Sequence, residues 1–324
     1  MFTKNIQLKY NDNLIKNYIK SEDYDEILNV IDKVYQSDPE MLATLLKSNL
    51  FKMLNSQQSQ RIFPENIIWI NSFQISDAHL VSTFLTFYLD RINFDFKSLD
   101  NYADIMLNLF DELNFEGDVT FEEQRDFSYV YQYLISKKYK NKSLLIHSDL
   151  PFFESNLGRY FTHYYLSRCY FYIVKNPILI LQEIKKQNPE YNTQAALNVM
   201  LNSDAHPNMI KSPINNRFFV SNKQGWHTNV HSWSNRNVLD TFRGFVIKLE
   251  DLIENPQDIF ADMIGHLIQT GLDIKLDYDV ITSFIENNNS LFDLNLVPEE
   301  ISKKDAKIIE RDIGSFLNIV KYKI

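Results

Sequence analysis

The sequence is poor in the residues from which cross-links and phosphate loops are built. One cysteine, Cys169, occurs in 324 residues, so no internal disulfide can form. A lone thiol inside the apolar stretch Arg168 to Val174 reads as part of a buried strand, and the cysteine count fits a reducing, cytoplasmic setting. Only seven glycines occur, which leaves little material for a glycine-built loop around phosphate. No apolar run approaches a membrane span, and Met1 to Asp12 holds no apolar segment of signal-peptide length. Positive charge is also scarce: 33 Lys and Arg face 42 Asp and Glu, for a formal net charge of −9. Nucleic acid and anionic membranes are therefore not expected partners, because counterion release needs clustered cations.

What is present is 44% hydrophobic, 14% aromatic and 23% charged residues, the composition of a folded globular chain. The first sixty residues carry two apolar stripes at helical spacing. One is Ile27, Val30, Ile31 and Val34; the other is Leu42, Leu45, Leu46, Leu50 and Met53, opened by Asp38-Pro39. They predict a helical hairpin, a packing element or a surface for a protein partner. After Pro64 the pattern changes to short continuous apolar runs at Ile67 to Ile70, Leu144 to Ile146, Tyr170 to Val174 and Phe245 to Leu249. Such runs mark parallel strands buried on both faces, and helical material separates them. A turn is expected over Asn71 to Ala78 and a helix over Leu80 to Leu89. Further helices are expected after Asn192, after Asn255-Pro256 up to Gly271, and after Ser302, with a loop at Asn287 to Asn289. The reading is an α/β domain over 61–324, a parallel central sheet flanked by helices, behind a helical extension at 1–60.

Four stretches, in order, resemble the sulfotransferase family, P-loop-like enzymes that use 3′-phosphoadenosine-5′-phosphosulfate (PAPS). They are Ile68-Trp69-Ile70-Asn71-Ser72-Phe73-Gln74-Ile75-Ser76-Asp77-Ala78-His79, then Leu144-Leu145-Ile146-His147, then Tyr172-Ile173-Val174-Lys175-Asn176-Pro177. The fourth pairs Gly225-Trp226…Asn229-Val230…Ser232-Trp233 with Lys248-Leu249-Glu250-Asp251-Leu252…Asn255-Pro256. The resemblance implies a sulfotransferase or P-loop NTPase-like fold and PAPS, or its desulfated form PAP, as donor ligand, with no metal. It makes His147 the base that takes a proton from a hydroxyl or amine acceptor, whether small molecule, glycan or peptide. Lys175 would hold the 3′-phosphate, and Ser72, Ser76 and His79 would line the donor loop.

The same comparison exposes departures. The family's catalytic Lys or Arg falls at Ile75, its glycine at Asp77 and its phosphate-binding serine at Glu183. The late Arg-x-Gly clamp is not recognisable between Asn287 and Pro298. Two like charges about 4 Å apart repel by on the order of 4 kcal/mol at an effective dielectric of 20, so Asp77 opposes a bound phosphate. Its carboxylate could instead cap the helix and fill the anion's place. Two functions follow: a divergent sulfotransferase, or a catalytically inactive pseudoenzyme serving as a binding or assembly module. Other clusters read as structural. His227 and His231 share a helix face without a third ligand, Trp226 and Trp233 belong to a core, and Glu250 and Asp251 buttress the sheet. Tyr160, Phe161, Tyr164 and Tyr165 are expected to pack a helix on the sheet.

Overall fold

Burial on both faces, rather than alternation, governs the centre of the molecule. The structure, a computed structural model, describes residues 65–73, 75–101, 139–148, 166–201, 225–294, 296–319 and 321–322, with short pieces at 132, 135–136, 152–154, 159–160 and 162. The hairpin expected over 1–60 lies outside the described residues. Strand β1 (Ile67–Ser72) is buried at every position, which is why its sequence is apolar without a period. β3 (Ser143–Ser148) pairs with it on one side and β6 (Ser167–Val174) on the other, both parallel. β2 (Phe96–Asn101) and β7 (Gly244–Lys248) complete a five-stranded sheet in the order β2-β3-β1-β6-β7. Every pairing in it is parallel. β4 (Phe153–Glu154) and β5 (Arg159–Tyr160) form a separate two-stranded antiparallel ribbon.

Helices follow the strands. They are α1 (Ile75–Arg91), α2 (Pro177–Gln187), α3 (Thr193–Leu201), α4 (Trp226–Ser234), α5 (Arg236–Phe242), α6 (Leu249–Glu254), α7 (Pro256–Gln269), α8 (Tyr278–Asn287) and α9 (Lys303–Ile319). One core joins Ile68, Ile70, Cys169, Phe171 and Ile173 to Phe84 of α1, Phe260 of α7 and Phe284 of α8. The Phe84 and Phe260 rings stack at 3.7 Å between centroids. On the opposite face Tyr170 donates its hydroxyl to the Trp233 carbonyl, and Tyr172 stacks on the Trp233 ring. Trp226 and Trp233 are both fully buried, as the seven-residue spacing predicts.

Several expected boundaries move. The turn placed at Asn71 to Ala78 is shorter: Asn71 and Ser72 remain in β1, and Ser76, Asp77 and Ala78 stand in α1. Tyr160 lies on β5 and not on a helix; Phe161, Tyr164 and Tyr165 lie outside the described residues. Asn287 ends α8 and gives its amide to the Ser283 carbonyl, and Asn289 opens a single 3-10 turn to Leu291, so the asparagine run joins two helical pieces where a loop was expected. Edge strand β2 had no apolar signature, because Lys97 and Ser98 are exposed on it and Phe96 and Leu99 are only half-buried. Among the described residues no helix is long and apolar enough to cross a membrane.

Candidate functional site at the carboxyl edge of the sheet

Strand order reverses at β1, since β3 and β6 flank it and each leads outward to an edge strand. In open α/β sheets the crevice at that point, outside the carboxyl ends, is where ligands bind. α1 and α2 begin directly after β1 and β6, so their N-terminal ends open on this crevice. Asn176 accepts a hydrogen bond from the Ile178 amide at 3.0 Å, and Pro177 fills the first helical position. That cap fixes the start of α2 and with it the direction of Lys175 before it and Glu183 inside it.

Lys175 is the centre of the site. Its Nζ donates to Glu183 Oε1 at 2.6 Å and lies 3.7 Å from Asp77 Oδ1. The Lys175 and Asp77 side chains are buried, at 9% and 7% exposure, whereas Glu183 keeps 44%. Burial pushes the Asp77 carboxyl up to about 6; Lys175 pulls it down, and the charges of Glu183 and Glu250 raise it further. Asp77 also stands in the first turn of α1, where the positive end of the helix favours a carboxylate. Its charge reaches Tyr172, whose phenol is pushed well up by burial first and by Asp77 second. The Tyr172 hydroxyl donates to Asn229 Oδ1 at 2.9 Å.

Glu250 completes the electrostatic frame from α6. Its Oε1 accepts from the Asn176 amide at 2.8 Å, and its Oε2 accepts from the Tyr322 hydroxyl at 2.6 Å. Both carboxylate oxygens are thus engaged by the backbone and by the chain's last described residue, a structural use of this element.

The other expected site residues are more dispersed. His147, near the end of β3, stands in register with Ile70, which faces Phe171 on β6. Lys175 lies four residues past that level, about 13 Å farther along the strand direction at ordinary strand rise. His147 Nε2 is 2.6 Å from Ser82 Oγ on α1, so its ring ties the strand to the helix. Ser72 is fully buried at the end of β1 beside Ile173. Ser76 opens α1, and His79 is exposed on it. Lys175 and Asp77 are thus brought together, while Ser72 ends β1 and His79 stands exposed on α1.

Sequence reasoning missed Ser82, Asn229 and Tyr322, whose roles arise from contacts across 65, 57 and 72 residues of chain. It also passed over Asn71, fully buried with neither carboxamide atom hydrogen-bonded. An asparagine inside an apolar strand was the available signal. His227 and His231 both set their rings edge-on to Phe316 of α9. Cys169 is fully buried and its thiol pushed up to about 12 by that burial, the state of an inert core thiol. Beyond the crevice, a groove of about 700 Å³ runs between α2 and residues 297–302, with Glu183 and Lys185 on one wall and Glu299 on the other. Gln182 spans it, donating to the Glu299 carbonyl at 3.0 Å and accepting the Glu299 amide at 3.1 Å.

No protein-family model and no curated protein matches the sequence. Among solved structures the chain is similar to a mouse sulfotransferase complexed with PAP, at 13% identity and a TM-score of 0.43. That likeness covers 84% of this chain and 96% of the other. The five-stranded parallel sheet with flanking helices is the α/β architecture expected from the sequence.

Proposed function

We propose that this chain is a sulfotransferase-like α/β protein that does not run sulfuryl transfer and serves as a binding or assembly module. One observation carries the reading: the ammonium of Lys175, the group the resemblance would give to the donor's 3′-phosphate, is held between Glu183 and Asp77. A buried cation paired with two carboxylates has no net positive charge left for a polyanion. The residues do not fit PAPS at the neighbouring loop either. Ile75 supplies no charge for the leaving oxygen, and Asp77 adds one of the wrong sign. The hydrogen bond between Ser82 and His147 further engages the imidazole nitrogen Nε2. A partner is proposed to be a protein, and residues 1–60 are its proposed contact surface.

Calorimetric titration of the full chain with PAP at pH 7.5 tests this. No binding heat up to millimolar PAP, from folded protein, is the expected result. Micromolar binding that is lost in Lys175→Ala would overturn it. It would reinstate a divergent sulfotransferase with His147 as base, Lys175 on the nucleotide and a hydroxyl or amine acceptor.

A further inference from the structure

The crevice sets the start of a helix beside a buried cation. The first amides of an α-helix have no intrahelical acceptor and its N-terminal end is partly positive. At this edge α1 presents such an end, and Lys175 adds a buried full charge beside it. The negative group in this place comes from the chain itself: Asp77 stands in the first turn of α1, with Oδ1 3.7 Å from Lys175 Nζ. The charged and titratable groups that act on Asp77 are Lys175 at the end of β6, Glu183 on α2 and Glu250 on α6, with Tyr172 of β6 nearby. Only Lys175 among them is cationic. Three carboxylates around one ammonium leave the crevice net negative whenever all are ionised.

We infer that Asp77 is an internal anion holding the place of an external oxyanion, and that with Glu183 it determines which ligands this crevice refuses. The inference rests on the reading of the crevice as closed at neutral pH. It adds that the closure is the work of two side chains. Glu250 stays outside this role, because the Asn176 amide and Tyr322 hydroxyl engage its two oxygens. Asp77→Asn and Glu183→Gln keep size and shape and remove the charges, freeing Lys175 for a ligand.

The test is calorimetry of the full chain with PAP at pH 7.5, comparing wild type, Asp77→Asn and Asp77→Asn/Glu183→Gln. The double variant is expected to bind PAP at least tenfold more tightly than wild type, the single variant to fall between them, and added Lys175→Ala to abolish the gain. A folded double variant that binds no more tightly than wild type overturns the inference. Tight binding by the wild type at pH 7.5 instead overturns the closed-crevice reading, so the two failures are distinct. Should the variants not fold, wild type titrated at pH 7.5 and pH 5.5 decides the matter. Protonation of Asp77 predicts tighter PAP binding at pH 5.5, even though PAP itself carries less charge there. Equal or weaker binding at pH 5.5 overturns the inference.

Discussion

Asp77 shows how a single carboxyl group can report on its surroundings. Its carboxyl is pushed up to about 6 from the ordinary aspartate value of 3.8, with burial as the main cause. A carboxyl raised on folding binds its proton more tightly in the folded state. The stability it contributes is therefore present below about pH 4 and is lost as pH rises through about 6. At about 1.4 kcal/mol per unit, the ionised group costs the fold about 3 kcal/mol at pH 7. Asp77→Asn removes that dependence. In denaturant melts, its stability relative to wild type is expected to improve by about 3 kcal/mol between pH 4 and pH 7. A relative stability that stays flat across that range would show that Asp77 is ionised as easily folded as unfolded. The residue scale is also where the sequence was half legible. The sign reversal at Asp77 and Glu183 stood in the motif, but their convergence on Lys175 depends on how β1 and β6 pair.

Helices set the geometry at the next scale, and two glycines separate close packing from mere helical freedom. Gly225 precedes α4, and a Cβ there would fall 1.9 Å from the Leu201 carbonyl oxygen at the end of α3. Gly265 lies inside α7, where an added Cβ meets nothing within 4 Å. Gly225→Ala is expected to destabilise by about 1–3 kcal/mol through overpacking. Gly265→Ala is expected to stabilise by about 0.5–1 kcal/mol through helix propensity. Thermal midpoints moving in the same direction for both would contradict the assigned contact. Helix positions were well read where caps are local. Asn192 accepts the Ala195 amide, Ser302 accepts the Asp305 amide, and Gly271 follows α7 at φ 87°. β2 went unread, since FKSLDN has neither an apolar run nor a clean alternation.

Across the whole molecule, the end of the described chain returns to the site. The Tyr322 hydroxyl donates to Glu250 Oε2 at 2.6 Å and lies 3.0 Å from the Val174 carbonyl oxygen. Lys248 sits 4.6 Å over the Tyr322 ring and donates to the Lys321 carbonyl at 3.0 Å. One side chain thereby links β6, β7 and α6 at the carboxyl edge. Tyr322→Phe keeps the ring and removes the donor to a charged oxygen, an exchange expected to cost about 1.5–3 kcal/mol. Urea unfolding should show a lower midpoint with an unchanged slope; an unchanged midpoint would mean that the tail adds no stability. The alternation of buried strands and helices could be read without coordinates, because continuous apolar runs and capping residues act over a few neighbours. The sequence also exposed the wrong-signed residues of the loop. The pairing of Lys175 with Glu183 and Asp77, the tie between His147 and Ser82 and the bond from Tyr322 to Glu250 became visible in the folded chain. Those contacts follow from strand register and side-chain direction across distant segments, which local periodicity does not encode.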